Sequence, residues 1–453
     1  MVKEESKVRR IYSTAILIFS FVALGMSTAM IGPALPDLAF KTHHSTKDYT
    51  SVFMARAFGF LIGVVIGGKV SDKKDEMAVT GLAILLCGAF LFFLGTLPTL
   101  MLVSVVILAE GFAMGILDTV GNIVALRLWP TDKHEATQKS VMQALHAGFA
   151  VGGVLCPVIA RPFLGEYRVD GDNVADVLKD GEDSSTDILE WEVVTPGRLD
   201  VLFKIVGSCV IACSVLFLAE FVTSRRPWTR DQGESKEVAE NAALSKLQTR
   251  FSWLLFSFFV LCVGSEISFA QFIYSYAQRN LAPQLNSSTT NFIQSIAERD
   301  DPVRYLSSTA TFMFWMGFTL FRIIAIVQSR FMKPGTMLWM NLGGCIITSA
   351  GLIFVKAIEP CLILTFFYGA SMANTFPSAF NLAASYMELD GAMASKFVVG
   401  SAIGWMTLPS LCIAVMDNFS KILPTVTFVS AILSSVIMLF TQRMGERFLA
   451  NKI

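Results

Sequence analysis

Apolar runs of about 20 residues or more, long enough to cross a hydrocarbon core of roughly 30 Å, recur along nearly the whole 453-residue chain. They fall at 11–40, 50–68, 77–97, 100–127, 137–164, 198–223, 250–278, 305–328, 336–356, 360–386, 392–416 and 424–442. Most are separated by short polar breaks. Three breaks are long: an acidic one at 165–197 after the fifth run, one of mixed charge at 224–249 after the sixth, and one at 279–304 after the seventh. The pattern predicts an all-α membrane protein with twelve transmembrane helices in two six-helix bundles. An N-terminal bundle spans 1–223, a linker follows at 224–249, and a C-terminal bundle spans 250–453.

Composition agrees with that pattern. The chain is 53% hydrophobic and only 16% charged, against roughly 25% charged in soluble domains. Formal net charge is zero, so nothing points to nucleic acid. The cysteines sit in or beside apolar runs, with no disulfide or zinc spacing. Basic residues fix the expected orientation: Lys3 to Arg10, Lys69 to Lys74, Arg127 to Lys139, Arg225 to Arg230 and Arg330 to Lys333 fall on one side. That side is expected to be the cytoplasm, with both termini in it and the protein in the plasma membrane. Segment 165–197, with ten carboxylates against Arg168 and Lys179, is then an extracellular loop, read as a solvated spacer. The sequons at Asn286 and Asn418 also fall outside.

Between the second and third runs the chain reads GGKVSDKKDE. Gly68, Asp72 and Lys73 resemble the cytoplasmic Gly-x-x-x-Asp-Arg/Lys loop of major facilitator transporters, with Asp75 in place of its second glycine. Together with the split into six and six spans, this implies two bundles that rock about a midplane site. The loop is expected to be structural or gating, and Gly59, Gly63 and Gly67 above it form a small-residue stripe for close packing.

Candidate chemistry lies in the polar side chains inside the apolar runs, where a charge costs roughly 2.5–3.5 kcal/mol near the centre on insertion scales. Asp118 is nine residues from Arg127, or roughly 13 Å along a helix. It shares a face with Gly111, Gly115 and Asn122. Asp118 and Asn122, one turn apart, can ligate a small cation or hold a proton; the alternative is a structural ion pair between Asp118 and Arg56. Gln143 and His146 in span five offer an amide and an imidazole to a ligand. Span seven places Glu266, Ser268, Gln271 and Tyr274 around mid-helix. Span eight sets Trp315 and Arg322 on one face, Arg322 either taking part or snorkelling to the interface. Span ten carries Asn374 and Asn381 about an interior Pro377, expected to kink it.

GMSTAMIGPALPDLA, ARAFGFLIGVVIGG, ILDTVGNIVALRLW, VMQALHAGFAVGG and VGSEISFAQFIYSYA resemble the sodium-dependent glucose transporter type, itself related to fucose–proton symporters, whose tenth-span pattern is similar to Phe376-Pro377-Ser378. The resemblance covers nearly all spans but neither the acidic segment 165–197 nor the linker 224–249. It implies that Asp118 takes part in cation coupling, that Gln143 and His146 touch sugar, and that Glu266 is the seventh-span acid. Three departures stand out. Residues 25–36 hold no acid, the eighth-span Gly-Arg is Phe321-Arg322, and Trp405 stands in GWMTLP where an acid is expected.

The expected function is secondary active transport of a monosaccharide, glucose in the first place, with substrate contacts from Gln143, His146, Glu266, Gln271, Tyr274, Trp315 and Asn374. Arg56, Gly68, Asp72, Lys73, Arg322 and Pro377 are the expected gating or structural residues. Sodium or, second, a proton is the coupling ion; no other cofactor, bound metal or enzymatic constellation is expected. Rival readings are transport of another small solute and a non-transporting membrane sensor with the same fold.

Overall fold

The structure, a computed structural model, describes residues 7–44, 48–71, 75–169, 191–195, 197–224, 242–281, 302–387, 389–416 and 418–450. Thirteen α-helices make up the described spans. The first half holds α1 (Lys7–Thr42), α2 (Thr50–Ser71), α3 (Glu76–Leu94), α4 (Leu100–Leu128), α5 (Thr131–Ala160) and α6 (Leu199–Ser224). The second holds α7 (Ala242–Asn280), α8 (Pro302–Phe331), α9 (Pro334–Phe354), α10 (Ile358–Met372), α11 (Thr375–Tyr386), α12 (Gly391–Met416) and α13 (Ile422–Ala450). Ten of the helices are long and apolar enough to cross a membrane by length and composition alone. The other two spans are α5, diluted by Gln138, Lys139, Gln143 and His146, and the tenth, which α10 and α11 divide between them.

Span ten corrects an expectation. It is broken at Ala373 and Asn374, and Pro377 lies in the first turn of α11 rather than in a helix interior. A proline there removes an N–H that has no helical partner in any case, so Pro377 starts a helix instead of kinking one. Segment 165–197 carries secondary structure at its ends. Glu166–Val169 and Trp191–Thr195 pair as a short antiparallel hairpin at its two ends, while 170–190 and Asn286 lie outside the described residues. α7 begins at Ala242, eight residues before the expected start of span seven.

Backbones touch in the same span pairs of both halves. Gly63 of α2 meets the Phe112 carbonyl of α4, and Gly115 of α4 meets that of Phe60. In the second half Gly317 of α8 meets the Phe366 carbonyl of α10, and Gly369 of α10 meets that of Phe314. Gly25 and Gly152 join α1 to α5 as Gly264 and Gly404 join α7 to α12. Spans two and four thus correspond to eight and ten, and spans one and five to seven and eleven, in the same order. That is the signature of a parallel internal repeat.

The halves meet through α2 and α4 against α12, and through α5 against α8 and α11. On the side where α6 ends and α7 begins, here the linker side, Ser140 Oγ donates to the Ile326 carbonyl (2.9 Å) and accepts from Arg330 Nε (3.1 Å). Asn381 Nδ2 donates to the Lys139 carbonyl (3.3 Å) and Ser395 Oγ to that of Val64 (3.0 Å). Gly68 is buried there, and a Cβ on it would overlap Ser395 and the Gly391 carbonyl of α12. Gly68→Val should therefore disfavour this closed arrangement. Overpacking of about 1–3 kcal/mol corresponds to a shift of roughly 5- to 150-fold between conformers at about 1.4 kcal/mol per tenfold. Spin-label distances between the linker-side ends of α2 and α12 should lengthen while helix content is unchanged.

Candidate functional site

The α4 face that carries Gly111, Gly115, Asp118 and Asn122 divides its work. Gly111 and Gly115 let the α2 backbone approach at Arg56 and Phe60, whereas Asn122 reaches towards α5. Asn122 Nδ2 donates to the main-chain carbonyl of Asp118 (2.7 Å) and to its Oδ1 (3.3 Å). Asn122 Oδ1 lies 3.2 Å from His146 Nε2. Because the amide nitrogen is committed to Asp118, the oxygen accepts and His146 Nε2 carries the proton. The His146 ring sits between Phe21 of α1 and Phe376 of α11, with centroids 5.8 and 4.8 Å away.

Across the interface, Arg322 is 3% exposed. Its Nε donates to the Ala373 carbonyl at the break in span ten (2.9 Å) and its Nη1 to the His146 carbonyl (3.0 Å). Its Nη2 is 3.5 Å from Glu266 Oε1, and the guanidinium lies 4.1 Å above the Phe318 ring. Arg322 does not snorkel. One carbonyl at the helix break, another on α5, an acid on α7 and an aromatic face satisfy it in the interior, which is how a buried guanidinium is tolerated. Asn374 Nδ2 donates to the Phe321 carbonyl (3.2 Å), and Gln143 Nε2 to Ser378 Oγ on α11 (3.1 Å). Gln143 Oε1 and Asn374 Oδ1 are buried acceptors with no hydrogen-bond partner among the described residues.

Asp118, Asn122, Gln143, His146, Glu266, Arg322 and Asn374 are thus joined through short links that span both halves. Trp315 joins at the edge, packing on Phe318 with centroids 5.6 Å apart. Gln271 is exposed and Tyr274 half-buried, and neither is tied to this network. Asp72 and Lys73 lie outside the described residues. Asp75 caps α3, its Oδ1 accepting from Met77 N (3.0 Å) and Ala78 N (3.4 Å). Trp405 packs edge-on to Phe60 of α2, with centroids 6.5 Å apart.

The expected alternative pairing of Asp118 with Arg56 is not formed. Arg56 belongs to Glu110, an acid the sequence reading passed over. Glu110 is 1% exposed; Arg56 Nε and Nη2 donate to its Oε2 (3.0 Å) and Oε1 (3.1 Å). Ser27 Oγ also donates to Oε1, and Arg56 donates to the Ser27 and Thr28 carbonyls (3.0 and 3.2 Å). Glu110 is two helical turns before Asp118, too far along the axis for one guanidinium to serve both. Its presence in an apolar run was the available signal. A second pair, Glu76 with Arg127, ties α3 to α4 at the linker side.

Comparison with known proteins gives a consistent picture. The chain is 29% identical over 417 residues to the human sodium-dependent glucose transporter 1, covering 91% of this chain and 74% of that protein. It is 30% identical over 397 residues to the Xenopus laevis protein of the same name, covering 85% and 72%. Human Major facilitator superfamily domain-containing protein 4A is 25% identical over 455 residues, covering 86% of this chain and 84% of its own. Among solved structures, the transporter FucP in its outward conformation superposes with a TM-score of 0.71 at 16% identity, covering 96% of this chain and 99% of that one. The proton:xylose symporter XylE superposes with a TM-score of 0.63 at 11% identity, covering 97% and 96%. The profile of the Major Facilitator Superfamily matches residues 17–409, and with twelve spans arranged as two repeated bundles around an interface of buried polar side chains, the chain belongs to that superfamily.

Proposed function

We propose that this protein is a secondary active transporter that carries a monosaccharide, glucose first, across the plasma membrane by alternating access, with sodium as the coupling ion bound at Asp118. The observation that carries the reading is Asp118 itself: a carboxylate about mid-membrane that has an amide but no basic partner among the described residues. An acid left without a counter-charge at that depth marks an ion pathway in preference to a structural bridge. Sodium is a hard cation and takes oxygen ligands, which the carboxylate and the Asn122 amide can supply.

Sugar recognition falls to the polar groups around it. Gln143, His146 and Asn374 offer acceptors and donors beside Phe376 and Trp315, a mixture of hydrogen-bonding groups and flat apolar faces that suits a pyranose. Glu266 and Arg322 supply charge on the other half, so a solute held between them touches both bundles. The relatives named for sodium-dependent glucose transport support glucose and sodium; the fold's likeness to proton symporters supports the proton as the alternative.

Uptake of labelled glucose into vesicles carrying the purified protein tests the reading directly. With an inward sodium gradient at constant pH, accumulation above the external concentration is expected, and an inward proton gradient in choline should give equilibration only. Accumulation driven by protons alone would transfer the coupling role to the proton, and flux of neither kind would favour a sensor.

A further inference from the structure

The amide of Asn122 stands where a cation on Asp118 would be held. Its Nδ2 is 2.7 Å from the main-chain oxygen of Asp118 and 3.3 Å from Oδ1, so a partly positive donor already bridges two oxygens. On its other side Oδ1 accepts from His146 Nε2. We propose that Asn122 is a reversible placeholder: a cation arriving at Asp118 displaces Nδ2, the carboxamide turns over, and His146 answers by changing which ring nitrogen bears its proton.

The chemistry follows from what each atom can do. A cation beside the carboxylate repels Nδ2 and attracts Oδ1, so the amide turns by half a circle and gives its oxygen to the ion. Nδ2 then faces His146. Two donors cannot face each other, so Nε2 must become the acceptor. The proton leaves Nε2 for water in the site and another is taken up on Nδ1, with no net charge change on the imidazole. His146 Nδ1, an acceptor before the cation binds, becomes a donor afterwards. The charged groups around the ring are Asp118 on α4, Arg322 on α8, which holds the His146 carbonyl, and Glu266 on α7 behind Arg322. From α1 and α11 the ring meets only Phe21 and Phe376. Asn122 is therefore a positioning residue that translates cation occupancy into the polarity of the imidazole assigned above to the proposed sugar site, without a moving helix. The inference rests on the reading of Asp118 as the cation site. A proton on Asp118 would turn the amide in the same way, since a carboxylic acid donates.

The four histidines of the chain allow a direct test. Full-length protein labelled with 15N-histidine is compared by NMR in sodium chloride and in choline chloride at one pH, with His146→Gln identifying the resonance. A choline sample at lowered pH separates the proton from sodium. Sodium is expected to move His146 from the Nε2–H to the Nδ1–H form, and both Asp118→Asn and Asn122→Leu should abolish the response. Glucose affinity is measured alongside. Its strengthening by sodium, typically 5- to 150-fold for coupled sites, should fall to about one-fold in Asn122→Leu. A tautomer that ignores sodium while Asp118→Asn still abolishes the sodium effect on glucose would overturn the relay and leave the transport reading standing. Sodium dependence that survives Asp118→Asn would overturn both.

Discussion

Asp118→Asn is expected to abolish sodium-driven accumulation of glucose while sparing exchange of sugar across the membrane. The substitution is nearly isosteric, and Asn122 Nδ2 keeps its bond to the main-chain carbonyl at position 118, so α4 has no reason to unfold. What disappears is the negative charge. One sodium ion entering with each sugar gains about 2.3 kcal/mol per 100 mV of membrane potential. At about 1.4 kcal/mol per tenfold, that sustains roughly 50-fold accumulation. Without a charge to bind the ion, transport reports only the sugar's own gradient and the ratio settles near one. Paired measurements in the same vesicles decide it: net uptake against a gradient, and equilibrium exchange with unlabelled glucose on both sides. Accumulation at the wild-type ratio would remove Asp118 from coupling altogether.

The charge loss is also expected to be gentle on stability, because Asp118 is not half of an ion pair. A ligand can shift a conformational equilibrium only by its differential affinity for the two states. In this arrangement the linker side is closed by Ser140, Asn381 and Ser395, and Arg322 of one half holds the His146 carbonyl of the other. Opening that side must break the Arg322 contact. The proposed cation site and the inter-half contact thus share His146, one through its ring and the other through its backbone, which would give a bound cation a physical route to bias opening.

Much of this was legible along the chain, for reasons that differ from residue to residue. The spans were legible because the length of an apolar run is itself the constraint. Asp118 and Asn122 could be paired from their four-residue spacing, which puts them on adjacent turns. The bond from Asn122 to His146 could not, since it depends on how α4 meets α5, and nothing local encodes that. For Arg322 snorkelling stood beside participation because it lies near the linker-side end of span eight; its actual partners include carbonyls on other spans, one of them exposed by a helix break. The break was half visible. Pro377 announced an irregularity, but a proline is tolerated one turn inside a helix start, so the interruption falls ahead of it at Asn374. Glu110 was legible as a second acid in span four but was passed over; which of the two acids takes Arg56 depends on how α4 packs against α2, and that gives the arginine to Glu110.

Glu110→Ala should be the most damaging single change to the fold in the N-terminal half. Removing one partner of a buried pair leaves the other charge without compensation, at a cost of about 3–5 kcal/mol, and here Arg56 would keep only neutral acceptors: the Ser27 and Thr28 carbonyls, the Ser27 hydroxyl and Met114 Sδ. The loss extends to α1, whose Ser27 hydroxyl also serves Glu110, so three spans lose a common tie. A large fall in thermal stability in detergent is expected, together with poor recovery of folded protein. Replacing both partners by apolar residues of similar volume, Arg56→Met with Glu110→Leu, should regain most of the stability, because buried ion pairs replaced as a unit are often neutral. Transport by the double variant then separates two roles. If it carries glucose with normal sodium dependence, the pair is a structural strut between α2 and α4, and the intramembrane acid that matters for coupling is Asp118 alone. A double variant that folds well but no longer accumulates sugar would instead make Glu110 a second participant in ion coupling.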